Sequence, residues 1–210
     1  MARYHIAQLT PSKAEILAGW LDAQTWAPTV AGVDDIEIVG AFRFDDPDGA
    51  VGLETHLVQI DDAVFQVPLT YRAAPFDDGH LVSEMHHSVL GSRWVYDGHH
   101  DPVMVSMFAA AALTGTGQAL GIVEYEERRV VVPTPVRLAG GGWTGGPTPV
   151  DGFNVESADE RAVTLSSDTV TMQIARHLVD GSAPEIGLTA TWPGQDAPVT
   201  LATIEPRHPG

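Results

Sequence analysis

The sequence of 210 residues has no cysteine, which excludes disulfides, thiol nucleophiles and Cys-ligated zinc. It is also poor in cations: 11 Lys and Arg stand against 28 Asp and Glu, for a net charge of −17. The basic residues are scattered and form no stripe. A phosphate backbone or an anionic bilayer would be repelled overall, so neither nucleic acid nor a membrane is an expected partner. No apolar run approaches the roughly 18 residues needed to cross a bilayer. The opening MARYHIAQLTPSK carries no apolar stretch of signal-peptide type, so the expected location is cytoplasmic. What is present is an apolar fraction of 44%, enough for a packed core in one large domain or two small ones.

Hydrophobic periodicity divides the chain. In TPSKAEILAGWLDAQTW, Ser12 and Glu15 have capping-box spacing, and Ile16, Leu17, Trp20 and Leu21 form one apolar stripe, which predicts a helix. The period then changes to two. Strands are expected at 35–44, 51–60 and 63–72, the last two as a hairpin turning at Asp61 and Asp62, with further strands at 80–87 and 92–96. Asp101 followed by Pro102 reads as the cap and first position of a second helix ending near Thr114 to Gly117. Six more strands are expected in 121–127, 129–138, 161–167, 169–178, 185–192 and 197–205. The segment AGGGWTGGPTP at 139–149 separates two of them. The expected organisation is two subdomains, 1–117 and 118–210, with a single continuous sheet as the alternative.

The only dense cluster of potentially reactive side chains is SEMHHSVLGSRWVYDGHHDP at 83–102. His87, His99 and Asp101 have the right atom types for a metal site. However, His86 and His87 would point to opposite faces of a strand, and no HExxH or His-x-His spacing is present. The competing reading is that Asp97, Gly98 and Asp101 build a turn and a helix cap, with solvated imidazoles between. It is the reading carried forward, with no metal and no cofactor expected. In GTGQALG at 115–121 the spacing is wrong for a phosphate loop, and a glycine helix cap is expected instead. The aspartates of FRFDDPDG and APFDDGH read as turns, and Ser88 and Ser92 lack a nucleophile elbow. The tryptophans, Trp94 among them, are expected mainly in the core.

Two stretches, FQVPLTYR at 65–72 and HSVLGSRWVYDGHHDPV at 87–103, together with WLDAQTW at 20–26, resemble the N-terminal cap domain of the maltokinase family. These are aminoglycoside-phosphotransferase-like sugar kinases of actinobacteria. The resemblance implies an α+β fold: a cystatin-like curved antiparallel sheet packed on helices, followed by a second, mostly antiparallel β subdomain resembling a kinase intermediate lobe. SSDTVTMQIARHLVDGSAPEIGL at 166–188 resembles that lobe, and places Gln173 where the family carries its ATP-contacting lysine. The catalytic lobe has no counterpart in the sequence.

The resemblance therefore implies a non-catalytic binding or regulatory module, linked through the family to trehalose, maltose or α-glucan metabolism. A protein partner or a homo-oligomer would suit such a role. In this reading Val89, Leu90, Trp94 and Tyr96 pack inside, Trp94 between sheet and helix, while His99 and His100 decorate a turn. The alternative is a small-ligand (sugar) binder or an enzyme, its site on the concave sheet face built from Tyr71, Arg72, His87, Arg93 and Trp94, near His99. A deep pocket with convergent polar groups would favour that alternative.

Overall fold

The computed structural model describes residues 2–4, 7–115, 118–125, 128–132, 134–141, 152–179, 181 and 184–207. Trp143 and most of the glycine-rich segment at 139–149 lie outside the described residues. Among those described, the chain is mostly β with two α-helices.

The first sheet is built from β2 (Leu9–Thr10), β3 (Glu37–Phe44), β4 (Gly52–Ile60), β5 (Ala63–Arg72), β6 (Leu81–His87) and β7 (Gly91–Asp97), in the order β2-β6-β7-β5-β4-β3. Its pairings within that order are antiparallel, and it curls into a half-barrel. Asp61 makes the β4–β5 turn with φ of 52°, a left-handed conformation that Asp tolerates better than most residues. Helix α1 (Lys13–Asp22) opens with the expected capping box, reciprocal between Ser12 and Glu15. It covers one face of the sheet, where Ile16, Leu17 and Leu21 pack with Val58, Phe65, Val67, Leu69 and Val95. Helix α2 (Pro102–Thr114) starts with the Asp101 side chain accepting from the Val103 N–H, and ends at Gly115 in the left-handed conformation. Met104, Val105 and Phe108 carry it onto the other face, against Phe42, Phe44 and Leu57.

Beyond α2 the chain forms β8 (Gly121–Tyr125), β9 (Arg128–Val132), β10 (Arg137–Gly140), β11 (Asn154–Ala158), β12 (Ala162–Ser166), β13 (Val170–Ala175), β14 (His177–Leu178), β15 (Gly187–Trp192) and β16 (Gln195–Pro206). β8 and β9 join β1 (Ala2–Tyr4) in a small sheet. A six-stranded antiparallel sheet runs β10-β15-β16-β13-β12-β11 and buries Val163, Leu165, Met172, Leu188 and Leu201 in the same core as α2. β10 runs backbone to backbone along α2, and a Cβ added at Gly140 would collide with the Ala111 carbonyl.

The two large sheets also meet through hydrogen bonds. β14 pairs with the Val64–Phe65 end of β5. The fully buried Gln66 amide donates to the carbonyls of Ala175 at 2.7 Å and Leu201 at 3.1 Å. Arg176 lies 4.7 Å over the Trp26 ring.

Candidate functional site

Alternation along β4 decides what faces α1. Val58 and Ile60 pack in the core under that helix, so Glu54 and His56, in phase with them, are carried to the same side. There, just beyond the N-terminus of α1, the sheet leaves a cleft of about 630 Å3. Leu9, Lys13, Arg43, Glu54, Tyr71, Met85, His87 and Arg93 line it, with Asp45, Asp46 and Ala73 among the remaining wall residues.

Glu54 is its most constrained group, with a side chain only 5% exposed. Oε2 is 2.6 Å from Lys13 Nζ and 3.4 Å from His56 Nε2, while Oε1 accepts from Arg43 Nε at 3.1 Å and lies 3.0 Å from Arg43 Nη2. Burial alone would raise its pKa, but His56, Lys13 and Arg43 outweigh that and hold the carboxyl well below the usual range. Tyr71 shares the cluster, its hydroxyl 3.3 Å from His56 Nε2. Burial, reinforced by the Glu54 charge, pushes that hydroxyl well above the ordinary tyrosine range, so it stays protonated. The result is a charged, hydrogen-bonded floor beneath an open cleft. Lys13 is the only lysine in the sequence.

Of the five residues expected to share one sugar site, three border this cleft: Tyr71, His87 and Arg93. Arg72 and Trp94 do not, because each is the immediate strand neighbour of a cleft residue and points to the opposite face. Arg72 instead grips Asp101, Nε to Oδ2 and Nη2 to Oδ1, both at 2.8 Å, and lies 4.2 Å over the Phe76 ring. Thr70 donates to the same carboxylate at 2.8 Å. Asp101 is fully buried, and its oxygens are engaged in this network and in capping α2, which makes it an anchor between β5 and that helix.

The histidine-rich turn also differs from expectation. His99 is buried, not solvated: Asp97 Oδ1 accepts from its backbone N–H at 3.0 Å and lies 2.7 Å from its Nδ1, while Asp97 Oδ2 is 3.1 Å from His100 Nδ1. Burial would raise the Asp97 pKa, but His99 and His100 overcome it and hold the carboxyl far below the carboxylate range. The reading of Asp97 as a turn and cap builder holds; the exposure given to His99 does not. His80, Asp97 and His100 bring potential ligand atoms within 4.8 Å of one another. His87 is elsewhere, its Nδ1 accepting from the backbone N–H groups of Val89 and Leu90 at 3.2 and 3.1 Å.

Three of the four hydrophobic side chains placed inside lie further out. Val89 is 56% and Leu90 44% exposed, because they form the β6–β7 turn rather than a strand. Trp94 is half-buried, and only Tyr96 is buried, its hydroxyl accepting from the Phe76 N–H at 2.7 Å.

The span from Trp20 through β3–β7 to the Asp101 anchor holds every stretch that carried the resemblance to the cap, apart from the two residues after Asp101. Residues 20–101 match the maltokinase N-terminal cap domain. The matched segment contains most of the cleft wall, while Leu9 and Lys13 come from outside it. No curated protein and no solved structure matches the chain.

Proposed function

We propose that the chain is a maltokinase-related cap module that binds a small polar ligand of sugar type in the Glu54 cleft and does not itself transfer phosphate. The observation that carries this reading is the cleft. Its volume of about 630 Å3 falls in the range of small-molecule sites, and polar groups from five strands and a helix converge on it. Sugar hydroxyls need donors and acceptors together. Lys13 and Arg93 supply donors, the Asp45 carboxylate an acceptor, and Tyr71 both. The cap match supports a connection to maltose, trehalose or α-glucan metabolism, in which ligand occupancy would regulate a partner in the cytoplasm.

In this reading residues 1–117 act as the cap, and residues 118–210 correspond to a kinase intermediate lobe. Gln173 supports the non-catalytic part. It lies exposed on β13, between buried Met172 and Ile174, where the family resemblance calls for a lysine. A second reading, a protein partner or second copy docking on the cap, is favoured by the exposed Leu81, Val89 and Leu90 along β6 and its turn.

Calorimetry of the full chain with glucose, maltose and trehalose tests the proposal. Saturable binding of at least one sugar is expected, abolished by Ala73→Trp, which fills the cleft mouth from an exposed position. Binding unaffected by that change would place the ligand elsewhere. No binding of any sugar would overturn the reading.

A further inference from the structure

We infer that the sugar bound in this cleft carries an apolar aglycone, an alkyl or aryl group on its glycosidic oxygen, which packs on a rim formed by Leu9, Met85 and Leu90. The inference rests on the sugar-binding reading above and adds the class of sugar. Its basis is the unlike chemistry of the two sides of the cleft. The strand order separates them: β4 and β5 carry Glu54 and Tyr71 on one side of β7, while β2 and β6 lie on the other.

The β2–β6 side is built around His87. Leu9 stands directly opposite His87 in the antiparallel pair, so the two side chains share a face. Met85, two residues earlier on β6, shares it as well. The β6–β7 turn then folds Leu90 back to the same place, because His87 Nδ1 accepts from the Leu90 N–H at 3.1 Å. Leu9, Met85 and Leu90 all border the cleft. Leu9 and Met85 also pack with the core under α1, which holds them in position.

Leu90 is 44% exposed although its backbone is fixed there. A single exposed leucine is ordinary, but this one adjoins two further apolar side chains at the wall of a polar cleft. Covering that surface is favourable only for a ligand that presents apolar surface in return. A bare sugar presents little. Its C–H faces lie best on a flat aromatic ring, and among the described residues no tryptophan borders the cleft. Size points the same way: about 630 Å3 suits a drug-sized ligand, which is larger than one hexose ring. A glycoside would set its hydroxyls toward the Tyr71 side and its aglycone on the leucines.

Calorimetry of the full chain with the methyl and phenyl glycosides of glucose and of maltose, with trehalose, and with phenol alone tests this. A phenyl glycoside should bind at least about tenfold more tightly than its methyl counterpart, which corresponds to removing on the order of 60 Å2 of apolar surface from water. Leu90→Ser should bring that ratio close to one, and Leu90→Met should keep it. Val89→Ser should leave the ratio unchanged, since Val89 is 56% exposed in the same turn but does not border the cleft. A ratio unmoved by Leu90→Ser, or lowered as far by Val89→Ser, would overturn the inference. Equal affinity for methyl and phenyl glycosides, or binding of trehalose alone, would overturn it and leave the sugar-binding reading standing. Phenol binding as tightly as the phenyl glycosides, with no sugar binding otherwise, would overturn both, as would failure of every ligand to bind.

Discussion

Arg72 and Asp101 form a two-pronged ion pair, with Nε–Oδ2 and Nη2–Oδ1 both at 2.8 Å, that ties β5 to the start of α2. The Asp101 side chain is fully buried and that of Arg72 is 20% exposed. Breaking such a pair from one side leaves a charge without its partner in a poorly solvated place. Asp101→Asn should therefore destabilise the protein by about 3 kcal/mol, more than the ~1 kcal/mol typical of a lost helix cap. Urea unfolding measures this, and a double-mutant cycle with Arg72→Met isolates the pair. A coupling below about 0.5 kcal/mol would show that Asp101 acts only as the cap of α2.

Acid should destabilise the fold through two buried carboxylates. Folded Glu54 and Asp97 titrate below their ordinary values of 4.5 and 3.8, so between the two ranges the unfolded chain binds more protons than the native one. Their contribution is complete above about pH 5 and is lost as pH falls through the unfolded values towards the folded ones. Glu54→Gln and Asp97→Asn should each cost about 3 kcal/mol at neutral pH and progressively less as pH falls below 4. Urea midpoints measured across that range would show mutant and wild-type curves converging. Curves that stay parallel would assign the acid limb to other groups.

Trp94 contributes less than its size suggests. It shares a face with Tyr96, yet it is half-buried whereas Tyr96 is buried. A core tryptophan truncated to alanine costs about 3–5 kcal/mol, whereas Trp94→Ala should cost about 1–2. Tyr96→Ala should cost more than Trp94→Ala, since it removes a buried ring and leaves the Phe76 N–H without its acceptor. The reverse ranking by chemical denaturation would mean that Trp94 is a core residue.

Stoichiometric metal is not expected in the histidine-rich turn. His80, Asp97 and His100 approach within 4.8 Å, but the rings of His80 and His100 stack with centroids 3.6 Å apart and planes 20° from parallel. Ring nitrogens donate in the ring plane, so stacked imidazoles direct their lone pairs side by side rather than toward one ion. Elemental analysis of untagged protein should find no equivalent of zinc, manganese or nickel. One equivalent present in the wild type and lost in His100→Ala would refute this.

Local signals were legible in the sequence where one short segment determined the outcome. The Ser12–Glu15 box, the Asp61–Asp62 hairpin and the Asp101–Pro102 helix start each involve neighbours in the chain, and each forms as its residues dictate. β11 escapes the pattern because all of Asn154–Ala158 is exposed, so it carries no buried alternation to detect. The run 129–138 divides into β9 and β10, with Pro135, which has no N–H for a ladder, between them. The candidate site was harder. Glu54 looks like an ordinary outward residue of an alternating strand, and its partner Lys13 is 41 positions away. One error was avoidable: Tyr71 with Arg72, and Arg93 with Trp94, are adjacent pairs on strands, and strand alternation forbids placing all four on one face.

The protein should not transfer phosphate to a sugar. Phosphoryl transfer depends on cations positioned around the γ-phosphate and its metal ions. Gln173 carries no charge, and its exposed place on β13 is flanked by Met172 and Ile174, both buried. Backbone capture of phosphate would instead require a glycine loop opening into a helix. Gly115 does the opposite: in the left-handed conformation it closes α2, its N–H bonded to the Ala111 carbonyl, and the next described element is strand β8. The cations of the Glu54 cleft lie on the far face of the first sheet from α2 and are partly neutralised by that carboxylate. Incubation with ATP, magnesium and maltose, glucose or glucosamine should yield no sugar phosphate above background, and calorimetry should detect no saturable ATP binding in the micromolar range. Turnover that disappears on changing Gln173 would overturn the non-catalytic reading. Saturable ATP binding without turnover would redefine the protein as a nucleotide-sensing regulator.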